Sequence, residues 1–353
     1  MNLEHLILRM QEKKASSMHM SAGLPPLFNI NGRLLPDSPE KIEEEQIENM
    51  AFGLMNSFQQ EKFKTEHSIN FTLEIGALGR QRISFYRQKG CVNALFSPIP
   101  DSIPSVSELG LPRIIENFAA FRSGLVIICG PAGCGKSTTV ASILARINEK
   151  RCAHVVTLEE PIEYLFPSRK ALFSQREIGR DTYSYTRALT ECIRQDADII
   201  LVSDLSDSET IKTALLAAET GVLVFATMHT TDSVQTINRI ISAFSSAQQQ
   251  QVRTQLSLVL KAIVSQQLVM RADNICRLPV VEIMIVNSAI RNLIREGKTY
   301  QIYSVIETHR DMGMQTLDQN LQDLISQKLI NPQEAIEVSR DPEGFKKKLK
   351  SQG

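Results

Sequence analysis

The chain lacks net charge: Lys and Arg total 39, and Asp and Glu also total 39. That balance removes the long-range field that would draw a nucleic acid or an anionic membrane as the main partner. It also lacks paired cysteines. The six (Cys91, Cys129, Cys134, Cys152, Cys192, Cys276) stand singly with no C-x-x-C, which argues against zinc and disulfides and for reduced thiols. No apolar run approaches the roughly 20 residues that a bilayer span requires. The opening MNLEHLILRMQEKKASS is amphipathic rather than continuously apolar, unlike a secretory signal. A soluble, cytoplasmic protein is expected. There is no internal repeat, and the low-complexity content is one four-glutamine run at 248–251.

What is present is apolar enough to fold twice. With 353 residues and 42% hydrophobic content, the chain can fill two cores. Residues 1–100 mix an opening helix, the turn-rich SAGLPPLFNINGRL, an acidic helical run PEKIEEEQIENMAFGLM and the alternating RQRISFY, a pattern that predicts a small α/β domain. Four prolines in SPIPDSIPSVSELGLP (Pro98, Pro100, Pro104, Pro112) keep a helix from forming, so 101–112 reads as a linker. From 113 to 273 short, fully apolar strands (GLVIICG, HVVTLEE, DIILVSD, GVLVFATMH) alternate with helices, as in a parallel sheet covered on both faces. SSAQQQQVRTQLSLVLKAIVSQQLVM reads as one long helical stretch whose Leu and Met positions form a core face. A strand-like LPVVEIMIV and helices fill 274–353. The basic end FKKKLK reads as a solvated helix end, with a membrane-side contact as the sharper alternative.

Four strand ends carry chemistry. GPAGCGKST places Gly130, Gly133, Cys134, Gly135, Lys136, Ser137 and Thr138 directly after an apolar strand and before a helix. Glycines let backbone N–H groups wrap phosphates, Lys136 meets the β and γ oxygens, and Ser137 can ligate magnesium. TLEEPIEYL supplies Glu159, Glu160 and Glu163, either a carboxylate for the attacking water or a solvated acidic turn. IILVSDLSDSET offers Asp204 and Asp207; Asp204 is assigned to magnesium and Asp207 to capping the next helix. FATMHTTDSVQTINRI ends its strand on His229, a phosphate sensor or a packed residue.

In this order the four elements resemble those of the PilT/GspE superfamily of secretion and type IV pilus ATPases. ASSMHMSAGLPP (15–26) is similar to the start of the PAS-like N-terminal domain of its retraction-type members, and SAIRNLIREGK (288–298) to their C-terminal motif. The four-cysteine module of assembly-type relatives is missing. The resemblance implies an α/β fold: a RecA-like P-loop ATPase core, a PAS-like N-terminal α/β domain and a helical C-terminal region. It implies ATP and magnesium as ligands, and a cytoplasmic ring hexamer peripheral to the inner membrane that works on a pilus platform protein. Glu163 would be the base, Asp204 the Walker B acid holding magnesium with Ser137, His229 the γ-phosphate sensor, and Arg80 and Arg82 phosphate-binding arginines.

Several positions depart from the family pattern. Walker B usually reads Gly-Glu-Met/Ile-Arg-Asp, and here it is Ser203-Asp204-Leu205-Ser206-Asp207. Val222 replaces the first His of the His box, Glu160 an Asp, and Gly90 and Ser97 replace arginines for which Arg87 or Lys89 are possible substitutes. A shorter acid reaches less well, and a displacement on the order of 1 Å costs about 100-fold in rate. The expectation is a motor of the retraction type with attenuated turnover. The alternative is a hydrolysis-deficient paralogue that regulates or co-assembles with an active pilus ATPase. A nucleic-acid motor is disfavoured by the neutral charge.

Overall fold

The computed structural model describes residues 2–30, 32–100 and 102–352, with only the backbone described at 350–352. Met1, Asn31, Asp101 and Gly353, which fall in the expected opening helix, turn-rich segment, linker and tail, lie outside the described residues. The chain divides into two units: Met1–Ser102 with Glu160–Leu165, and Ile103–Glu159 with Phe166–Gly353.

The first unit is an α/β domain. Helix α1 (Leu3–Glu12) buries Leu6, Ile7 and Met10 along one face, and Asn2 caps it by accepting from the His5 N–H. Strands β1 (Ser17–Met20), β2 (Leu27–Ile30) and β3 (Arg33–Pro36) precede α2 (Glu44–Leu54) and α3 (Ser57–Glu66); β4 (Ser68–Glu74), β5 (Arg80–Gln88) and β6 (Cys91–Pro98) complete an antiparallel sheet of order β3-β2-β1-β6-β5-β4. Along β5 the residues Gln81, Ile83 and Phe85 are buried and Arg80 and Arg82 alternate with them. A strand's period of two therefore puts both arginines on the same face.

The second unit holds a seven-stranded sheet. Its elements are β7 (Gly124–Cys129), α4 (Lys136–Lys150), β8 (His154–Glu159), β9 (Leu172–Glu177), α5 (Tyr185–Arg194), β10 (Ile199–Val202), α6 (Ser208–Glu219), β11 (Leu223–Met228), α7 (Ser233–Ser242), α8 (Ser246–Val259), β12 (Leu260–Met270) and β13 (Arg277–Ile285). Helices α9 (Ser288–Glu296), α10 (Ile302–Thr308), α11 (Leu317–Ser326), α12 (Pro332–Val338) and α13 (Pro342–Gln352) follow. The order is β13-β12-β7-β11-β10-β8-β9, parallel throughout except for β13. Every residue of β7, β10 and β11 is buried, which is why these strands read as unbroken apolar runs.

One sequence expectation is corrected. The stretch 245–270 is not one helix: α8 ends at Val259 and β12 begins at Leu260. Ile263, Val264 and Val269 are β-branched and fully or almost fully buried, and β12 finds partners on both sides, β7 and β13. Side-chain shape and two ladders of backbone hydrogen bonds outweigh the helical spacing of the Leu and Met positions.

Candidate functional site

Parallel strands end together, so the order β7-β11-β10-β8 sets the ends of four strands side by side at one end of the sheet. The loop after β7 wraps the start of α4, whose N-cap Gly135 has φ 90°. Lys136 is buried, and its ammonium donates to the carbonyls of Gly130 and Pro131, each at 2.9 Å. It also lies 3.4 Å from Nδ1 of His229 at the end of β11. An ammonium only donates, so this contact requires the His229 tautomer protonated on Nε2. The structure thus joins two predicted site residues 93 positions apart. Beneath the loop, burial pushes the Cys129 thiol up to about 11, against the opposing hydrogen bond from Thr236. Cys129 is a neutral filler there.

Next in order is the end of β10. Ser203 is fixed twice: its carbonyl accepts from the Thr227 hydroxyl at 2.6 Å, and its own hydroxyl is 2.8 Å from Tyr185 Oη. Asp204 follows, and its Oδ2 accepts from the exposed Ser206 hydroxyl at 2.8 Å. Asp207 caps α6, accepting from the Thr210 N–H at 2.9 Å. Burial pushes the Asp207 carboxyl up, but hydrogen bonds from Thr210 and Glu209 outweigh it and hold the group below its ordinary pKa. At the end of β8, Glu159 is buried and accepts from the Thr157 hydroxyl at 2.7 Å and the Gln175 amide at 3.3 Å. It is a satisfied, structural carboxylate.

Glu163 belongs with the first unit. Arg82 Nη1 donates to its Oε1 at 2.8 Å. Arg80 donates to the carbonyls of Ile162 and Glu163 and to the Thr72 hydroxyl. The two predicted phosphate-binding arginines and the predicted base therefore form one cluster. Arg87 is held elsewhere in that unit: it donates to the Gly90 carbonyl and Glu48 and lies over the Phe63 ring.

Sequence reasoning missed Gln266. This almost completely buried side chain of β12 donates from Nε2 to the Cys134 carbonyl at 2.7 Å and accepts at Oε1 from the Thr139 hydroxyl at 2.8 Å. No motif marks it. The available signal was a polar pair, Gln266-Gln267, inside an otherwise apolar run.

A parallel sheet with a glycine loop, a buried lysine and a helix start at its edge defines a P-loop nucleotide-binding protein with a RecA-like core. Residues 111–318 match the model of the type II/IV secretion system protein family, and the chain belongs to that family. It is a P-loop ATPase of that family. The type IV pilus retraction ATPase PilT of Pseudomonas aeruginosa is 38% identical over 345 residues, 98% of this chain and 100% of that one. The type IV pilus ATPase PilU of the same organism is 36% identical over 336 residues, 95% of this chain and 88% of that one. The crystal structure of the pilus retraction motor PilT with bound ADP matches with a TM-score of 0.86 at 38% identity, over 98% of this chain and 99% of that one.

Proposed function

We propose that the chain is a hexameric ATP-hydrolysing motor of the type IV pilus retraction kind, working in the cytoplasm against an inner-membrane platform protein, with slow turnover. Likeness to a retraction ATPase over 98% of the chain supports the motor reading. The observation that carries slow turnover is Asp204: one methylene shorter than the family's acid, with an oxygen engaged by Ser206.

The donor set fits magnesium. Ser137 and Asp204 offer the hard oxygen ligands that this ion takes, and it keeps several waters and binds through substrate phosphates rather than an all-protein cage. Among the described residues no group of three or more His, Cys, Asp or Glu could hold a metal. Bound there, magnesium would neutralise charge on the phosphate oxygens. The chain's own residues do the rest. Lys136 binds the terminal phosphates, His229 senses the γ-phosphate beside it, Glu163 takes the proton of the attacking water, and Arg80 and Arg82 hold Glu163 or trade it for phosphate. In the present arrangement Arg82 and the proposed base neutralise each other.

A second reading is a hydrolysis-deficient chain that joins or regulates the ring of an active pilus ATPase. The engaged, shortened Asp204 favours it, as does the similar likeness to PilT and PilU, two pilus ATPases that coexist in one organism. Among the described residues no helix is long and apolar enough to cross a membrane.

The test is steady-state phosphate release by the wild type, Lys136→Ala and Asp204→Glu, with oligomeric state measured in the same samples. The motor reading expects wild-type turnover above the Lys136→Ala background and a gain of about tenfold in Asp204→Glu, part of the roughly 100-fold that a misplaced group costs. A wild type at background with an active Asp204→Glu would favour the regulator. An Asp204→Glu no faster than an active wild type would remove the short acid as the cause of slowness.

A further inference from the structure

We propose that Gln266 is the positioning residue of the phosphate loop, fixing the peptide plane that aims the Gly135 N–H. The proposal rests on the nucleotide-binding reading of that loop. Gln266 is 3% exposed. Its neighbour Ser265 pairs with Cys129 at the end of β7, so Gln266 comes level with Gly130 as the loop begins. The Cys134 carbonyl can only accept, so the amide nitrogen of Gln266 must face it, and Oε1 is left for the Thr139 hydroxyl. Both ends of the side chain are spent on the loop and on the first turn of α4, where the Thr139 N–H in turn donates to the Gly135 carbonyl at 3.0 Å.

The consequence comes from peptide planarity. In a trans peptide the C=O and the next N–H point in opposite directions. Drawing the Cys134 carbonyl toward β12 therefore turns the Gly135 N–H away from that strand. Backbone N–H groups are what such loops offer to phosphate. Glycines flank Cys134 at φ 73° (Gly133) and 90° (Gly135), so little intrinsic stiffness holds this plane, and Gln266 supplies the restraint. The same residue tightens the glycine requirement. A Cβ at Gly135 would stand 2.9 Å from Gln266 Nε2, and one at Gly130 would stand 2.2 Å from the Gln266 carbonyl. On the other face of β12, Ser265 donates to the Thr231 carbonyl at 2.6 Å, so adjacent residues of one strand brace the loops that carry Lys136 and His229.

The experiment is calorimetric titration of ADP and competition by AMP on the full chain, for the wild type, Gln266→Leu, Gln266→Glu and Thr139→Val, with thermal melts to establish folding. Gln266→Leu should weaken ADP binding at least tenfold. Gln266→Glu, which keeps the shape but turns an acceptor toward the Cys134 carbonyl, should lose as much. Thr139→Val, which removes only the far contact, should lose two- to threefold. AMP lacks the β-phosphate that the loop cradles, and its binding should move less than twofold. In steady state the KM for ATP should rise with kcat within twofold, because the restraint serves ground and transition states alike. If Gln266→Leu does not fold, Gln266→Glu and Thr139→Val carry the test. Folded Gln266 variants that bind ADP within twofold of the wild type, or that lose ADP and AMP equally, would overturn the proposal. A wild type that does not bind ADP would instead sink the nucleotide reading itself.

Discussion

In the proposed motor Asp204 is the carboxylate that must accept from water, yet one of its oxygens is taken by the Ser206 hydroxyl at 2.8 Å. A hydrogen bond to a charged acceptor contributes about 1.5–3 kcal/mol in mutational series, and less at an exposed site such as Ser206. Against the pattern expected from the sequence resemblance, two changes would meet in this one contact: a shorter acid, and a donor small enough to fold back onto it. Ser206→Ala should raise phosphate release roughly two- to fivefold at saturating ATP and magnesium, within the range that losing about 1 kcal/mol of competing interaction allows. Because Ser206 is exposed, its melting temperature should stay within a degree or two of the wild type's. A variant that is slower than the wild type would mean that Ser206 orients the acid rather than occupying it. Sequence alone exposed the substitutions but not their contact. The arginine cluster was less legible still, since Arg82 reaches Glu163 across 81 positions and no local pattern encodes such a pairing.

At the scale of elements, local signals did well wherever the deciding interaction was local. Asp207 capping α6, the glycine entry to α4 and the unbroken apolar strands are set by near neighbours or by uniform burial. Strand β12 failed for the opposite reason: β7, about 135 positions earlier, provides one of its partners, and the run LSLVLKAIVSQQLVM fits a helical stripe as well as a buried strand. Gln266 was hidden with it. The same sheet edge buries Glu282 of β13, which accepts from the Ser233 N–H at the start of α7 at 2.9 Å. Burial pushes its carboxyl up from the ordinary value, opposed by the hydrogen bonds from Ser233. Between the ordinary and the raised pKa the folded chain binds a proton that the unfolded chain has lost, so stability falls as pH rises through that window and stays lower above it. Glu282→Gln retains the acceptor for Ser233 without the ionisable group. Its melting temperature relative to the wild type should therefore climb between pH 4.5 and pH 8, and a difference that is flat or falls over that range would contradict the assignment.

For the whole molecule, binding and turnover are separable, and the separation decides what kind of component this chain is. Both proposed functions require nucleotide binding, since Lys136, the glycine loop and the Gln266 clamp are intact; they differ only in whether the bound triphosphate is then hydrolysed. A ligand that binds only the folded state adds about 4 kcal/mol at a thousand times its Kd. For a folding unit of this size, 1 kcal/mol moves the melting temperature by roughly 2–4 °C, so saturating ADP should raise it on the order of 10 °C. Lys136→Ala should lose most of that shift. Asp204→Glu should keep it, because in the proposed motor the acid serves hydrolysis of the triphosphate rather than the binding of ADP. Scanning calorimetry with and without ADP, at one fixed protein concentration because assembly also shifts the transition, makes the comparison. A wild type with the full ADP shift and no phosphate release is a nucleotide-binding component rather than a motor. A full shift with turnover that scales from Ser206→Ala to Asp204→Glu is a motor whose speed is set at one carboxylate.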